Sequence, residues 1–144
     1  MKLTIAFTAV LAAFLPSAFA TTLGYDLFYS DGDNSLTGVA CSDGKNGLMT
    51  RGFTTIGSLP SFPYVASTDS IAGWNSTQCG KCWKITYIDG QNKPHFITVT
   101  AIDHADSGFY TTQKAMDELT GGHAVEFGVV DVTVQPVNPA NCGL

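Results

Sequence analysis

Apolar positions along this chain fall into three patterns, and each predicts a different element. The first is an almost unbroken run over residues 3–15, preceded by Lys2 and followed by Ala18-Phe19-Ala20. A basic start, a short apolar run and a small-x-small end make a secretory signal, and the run is too short to span a bilayer. Cleavage is therefore expected after Ala20, leaving residues 21–144, and no second long apolar run follows. The second pattern is period-two alternation, the mark of half-buried strands. Trp83, Ile85 and Tyr87 share one face; Asp89-Gly90 then turns the chain into a second arm over residues 95–102. On that arm Ile97, Val99 and Ala101 share one face and Thr98 and Thr100 the other. Val130, Val132 and Val134 alternate with Asp131, Thr133 and Gln135, and Pro136 is expected to end that strand. Residues 22–29 read as a first strand. The third pattern is a short helical stripe, Ala115, Met116 and Leu119 within residues 112–119, with Gly121 as its stop. Polar clusters at residues 30–35 and 42–47 read as turns, and residues 57–70, with Pro60 and Pro63, as extended loop with strand fragments. The fold class is all-β and barrel-like, with a little helix.

Composition narrows the partners. The chain has 144 residues, only 13% of them charged, and a formal net charge of −5. Loss of Lys2 with the leader makes the mature chain one unit more acidic. Its length suits one domain with one core. Without a Lys/Arg cluster it is a poor binder of nucleic acid or anionic membrane, and a neutral partner fits better. Cys41, Cys79, Cys82 and Cys142 all lie after the leader, so in an exported chain they are expected to form disulfides. Three pairings are open. One of them, Cys41 with Cys79 and Cys82 with Cys142, closes two long loops, each worth about 4 kcal/mol in the chain-entropy picture. Cys79-Gly80-Lys81-Cys82 has the spacing of a redox pair but no βαβ pattern around it. A four-cysteine zinc site would need two close pairs, and Cys41 and Cys142 stand alone.

Several side chains could carry chemistry. Period-two counting puts Asp103 on the Ile97/Val99/Ala101 side, an odd place for a carboxylate unless it faces a groove or caps the next loop through backbone N–H groups. Tyr25, Tyr29, Tyr64, Trp74, Trp83 and Tyr110 are flat faces on which a sugar ring could stack, with Trp83 better read as core. Asn75-Ser76-Thr77 is an N-glycosylation sequon. Its rival reading places the Asn75 amide in a ligand groove. His95, His104 and His123 have no metal-ligand spacing, although His104 could tune the charge of Asp103. No nucleotide fingerprint, phosphate loop or Ser-His-Asp arrangement is present, so no metal and no cofactor is expected.

Taken together, Tyr25-Asp26, Ser35-Leu36-Thr37, Cys41-Ser42-Asp43-Gly44, Asn46-Gly47-Leu48, Phe62-Pro63-Tyr64, Ala72-Gly73-Trp74-Asn75-Ser76, Cys79-Gly80-x-Cys82-Trp83-Lys84, Ala101-Ile102-Asp103-His104-Ala105, Leu119-Thr120-Gly121-Gly122 and Cys142-Gly143-Leu144 resemble the cerato-platanins, small secreted fungal proteins. The resemblance runs over nearly all of residues 21–144. It implies a six-stranded double-ψ β-barrel bridged Cys41–Cys79 and Cys82–Cys142. It implies a shallow groove that binds chitin fragments or other N-acetylglucosamine oligomers without hydrolysis, wall localisation, expansin-like loosening of polysaccharide, and recognition by host immunity as elicitor or allergen. Residue by residue it points to Asp103 and Asp26 as groove carboxylates, with Tyr25, Asn75 and Tyr110 beside them; Tyr110 departs from the Asn frequent at that place in relatives. Two other readings compete. In a hydrolase, Asp26 and Asp103 would be an acid–base pair. In an interaction protein, loops such as residues 57–70 would carry host recognition.

Overall fold

The computed structural model describes residues 17–144. Most of the expected leader therefore lies outside the described residues. Six strands close on themselves: β1 (Phe19–Tyr25), β2 (Val65–Thr68), β3 (Cys82–Ile88), β4 (Pro94–His104), β5 (Phe109–Thr111) and β6 (Val129–Val137). Their order around the barrel is β1-β5-β2-β4-β3-β6. The β1/β5 and β2/β4 pairs are parallel and the others antiparallel. This is the double-ψ barrel the resemblance implies. Helices are short: α1 (Leu27–Ser30), α2 (Gln113–Thr120) and α3 (Ala124–Phe127).

The barrel interior holds Leu23, Ile85, Val99, Phe109, Val132 and Val134, and Ala115, Met116 and Leu119 of α2 pack against it. Thr112 caps α2 by accepting the Ala115 N–H, and Gly121 ends it at φ 69°. A second apolar cluster lies under the long loops. It contains Leu36, Leu48, Ile56, Val65, Ile71 and Ile102, together with the Cys41–Cys79 bridge. Full burial of each such aliphatic side chain contributes about 1.5–3 kcal/mol. The Cys82–Cys142 bridge ties the 3₁₀ turn Pro139–Cys142 to the first residue of β3. Both bridges match the implied pairing, and no described cysteine is free.

Three elements differ from the sequence-based expectation. The first strand begins at Phe19, two residues before the expected cleavage, and stops at Tyr25 rather than 29. It stops because the Asp26 carboxylate accepts the Phe28 N–H at 2.8 Å and starts α1. The last strand runs through Pro136 to Val137, with Pro136 opposite Trp83 on β3. Proline is tolerated there because β1 pairs with β6 only as far as Val134, so the missing N–H faces no second strand. Alternation along β4 also breaks. Ala66 pairs with Ala101, but Ser67 pairs with Asp103, leaving Ile102 as an extra residue. Ala101 and Ile102 are both buried, and the bulge re-aims Asp103.

Candidate functional site

The bulge, the α1 cap and the loop after β4 converge at one rim of the barrel. Asp103 Oδ1 accepts the backbone N–H groups of Ala40 and His104, each at 2.8 Å. Its Oδ2 accepts the Tyr29 hydroxyl, also at 2.8 Å. Asp103 thus does cap the neighbouring backbone, as one sequence reading allowed, and it also anchors a buried phenol. Burial pushes the Tyr29 phenol well above its ordinary range; the Asp103 and Asp26 carboxylates push the same way, and the Ser67 hydroxyl opposes them in part. Tyr29 therefore remains a protonated donor.

Above this pair lies an open cavity of about 420 Å³, lined by Asp26, Tyr29, Ser67, His104, Ala105, Asp106, Ser107 and Tyr110. The Tyr110 ring forms one wall and lies close to the backbone of Gly24. A methyl group on Gly24 would stand 2.9 Å from two ring carbons, so only glycine lets the ring sit there. His104 Nδ1 lies 2.6 Å from the Ile71 carbonyl, and Nε2 lies 3.1 Å from Asp106. The carbonyl, then the carboxylate, hold its imidazole above the usual histidine range. The rim is thus acidic, with one histidine and one accessible aromatic face.

Of the residues singled out in the sequence, Asp26 and Tyr110 line the cavity and Asp103 lies beneath it, bonded to Tyr29. Tyr25 is half-buried against the barrel core and is not part of the lining. Asn75 also lies outside the lining. It sits in a turn at φ 61°, its side-chain oxygen accepting the Asn46 N–H at 3.0 Å. Trp74 beside it is exposed, and its indole donates to Asp43 at 2.7 Å. Trp83 is half-buried and touches both apolar clusters, as its strand position predicted. Sequence reasoning missed Ser67, Asp106 and Ser107. The polar run after β4 was the only signal for Asp106 and Ser107, and β2 carried none for Ser67. Among the described residues no group of three or more His, Cys, Asp or Glu side chains is placed to hold a metal ion. No described helix is long and apolar enough to cross a membrane.

A closed six-stranded barrel of mixed pairing, with two disulfides and a polar, aromatic-walled cleft at one rim, defines the structural class. The cerato-platanin family model matches residues 21–144, and the chain belongs to the cerato-platanin family. It is 45% identical over 129 residues to the heat-stable 19 kDa antigen of Coccidioides immitis (strain RS), covering 90% of this chain and 85% of that protein. It is 47% identical over 147 residues to the Allergen Asp f 15 homolog of Arthroderma benhamiae, covering 99% of this chain and 70% of that one. The crystal structure of cerato-platanin 2 from M. perniciosa superposes with a TM-score of 0.83 at 44% identity, over 88% of this chain and all of that one.

Proposed function

We propose that the protein is exported and acts at the fungal wall as a non-catalytic binder of N-acetylglucosamine oligomers, or of a related wall polysaccharide, held in the cavity between Asp26 and Tyr110. The observation that carries this reading is the lining itself. Carboxylates and hydroxyls can accept and donate to sugar hydroxyls and to an N-acetyl N–H, and Tyr110 offers a flat face for a ring. The volume lies in the range of small-ligand sites, and the cavity is open to solvent.

The arrangement favours binding over hydrolysis. An inverting glycosidase needs an acid and a base roughly 6.5–9.5 Å apart with a water between them. Here both Asp103 oxygens are taken by three donors, and one Asp26 oxygen caps α1. Asp103, with both oxygens already accepting hydrogen bonds, is poorly placed to serve as one half of such a pair. Binding without cleavage would loosen polysaccharide contacts as an expansin does.

An NMR titration with chitotetraose tests this. Backbone amides of Asp26, Ser67, His104 and Tyr110 are expected to move, and release of new reducing ends is not. Shifts confined to another face, or none at millimolar ligand, would reject the groove. A second reading, recognition by host immunity, is favoured by the names of the antigen and allergen relatives. It predicts that Asp26→Ala keeps full reactivity toward immune serum while losing saccharide binding.

A further inference from the structure

The sequon Asn75-Ser76-Thr77 is left over once the cavity is assigned, and its geometry is specific. Asn75 sits in an exposed turn at φ 61°, a left-handed conformation that asparagine tolerates better than most side chains. Two hydrogen bonds to Asn46 fix it: the Asn75 side-chain oxygen accepts the Asn46 N–H at 3.0 Å, and the Asn46 amide donates to the Asn75 carbonyl at 2.9 Å. The same oxygen fills the space beside Gly44, where a methyl group would stand 2.8 Å from it. The oxygen side of the carboxamide is thus used up by the protein. The nitrogen side is not. Among the described buried side-chain nitrogens and oxygens only Trp83 Nε1 lacks a partner, so the unbonded Asn75 Nδ2 meets solvent. Thr77, the hydroxyl residue of the sequon, is exposed. Trp74, 62% exposed and held by Asp43, stands next in the chain.

We infer that Asn75 is an N-glycosylation site, with Nδ2 as the linkage atom. The donor class is a lipid-linked pyrophosphoryl oligosaccharide met during export. Nδ2 forms the bond to C1 of the first N-acetylglucosamine and gives up one proton, which balances as protonation of the departing lipid pyrophosphate. The C1–O bond to the lipid pyrophosphate breaks, and that pyrophosphate leaves with the electron pair. Neither Asn46 bond is disturbed, because both use oxygens of Asn75. Asn75 does not line the cavity, so the point of attachment lies outside its wall. The inference requires export and nothing of the saccharide-binding reading.

The test is peptide mapping of the full chain, collected from the medium of a yeast expressing it. Treatment with peptide:N-glycosidase in heavy-oxygen water is expected to convert Asn75 to labelled aspartate and to lower the mass of the intact protein. Thr77→Ala breaks the sequon but keeps every Asn75 bond. It is expected to be secreted with the mass of the deglycosylated chain, apart from the substitution, and to melt with it. An Asn75 peptide recovered unmodified from secreted wild-type protein overturns the inference, as does a glycan that persists in Thr77→Ala.

Discussion

Tyr29→Phe removes one hydroxyl and nothing else, which makes it the sharpest probe of the rim. The phenol is only 5% exposed and donates to Asp103 at 2.8 Å. A hydrogen bond to a charged group contributes about 1.5–3 kcal/mol, and the Asp103 oxygen would lose its only described donor. The two N–H bonds to the other oxygen remain, so the carboxylate is weakened rather than stranded. The expected loss is therefore about 2 kcal/mol, or about 8 °C in Tm for a domain of this size. Guanidinium unfolding of wild type, Tyr29→Phe, Asp103→Asn and the double variant closes a thermodynamic cycle, with an expected coupling of about 1–2 kcal/mol. Alkaline pH supplies an independent readout. A phenol whose folded pKa is raised stabilises the fold fully below the unfolded value near 10, and that contribution is lost as pH climbs toward the folded value. Wild-type stability should fall above about pH 10, and fall less steeply in Tyr29→Phe. A coupling below about 0.3 kcal/mol, within the additivity of unconnected sites, would refute the reasoning, because water would then serve Asp103 as well as Tyr29 does.

Gly24→Ala drives a methyl group into the Tyr110 ring, at a cost of about 1–3 kcal/mol by overpacking, and it should weaken saccharide binding beyond any effect on the fold; calorimetric titration beside a melting curve separates the two. Asp26→Ala removes the α1 cap, worth about 1 kcal/mol, and should abolish the chitotetraose shifts at a temperature where the barrel remains folded. The raised His104 pKa means that its contribution is fully present below the ordinary histidine value and lost as pH rises through the folded value. An imidazole proton titration should show this, and Asp106→Asn should bring the midpoint down.

The strands were legible where one face meets the core and the other meets water. Val130, Val132 and Val134 alternate as written, and the stripe Ala115, Met116 and Leu119 locates α2 to within a residue. What alternation missed was set by single local bonds or by neighbours distant in sequence. The Asp26 side chain ended β1 by capping. The Ile102 bulge arises only because β2, more than thirty residues earlier in the chain, pairs out of step with β4. The family pattern singled out Asp26 and Tyr110, and both line the cavity. Ser67 was not readable, because nothing in Val-Ala-Ser-Thr says which face will line the cavity until β5 and β4 flank it. The burial of Tyr29 was equally hidden, since it depends on a short helix that the strand pattern did not predict.

The cross-linked segment has a consequence for nicking within the chain. Cys142 is bonded to Cys82, Leu144 packs against the loop cluster, and the preceding turn lies against β3 and β4. An endoprotease needs several residues to leave the surface and extend into its cleft, and this stretch cannot lift while the sulfurs stay joined. Cleavage between Pro139 and Cys142 is therefore expected only after a reductant opens the bridge.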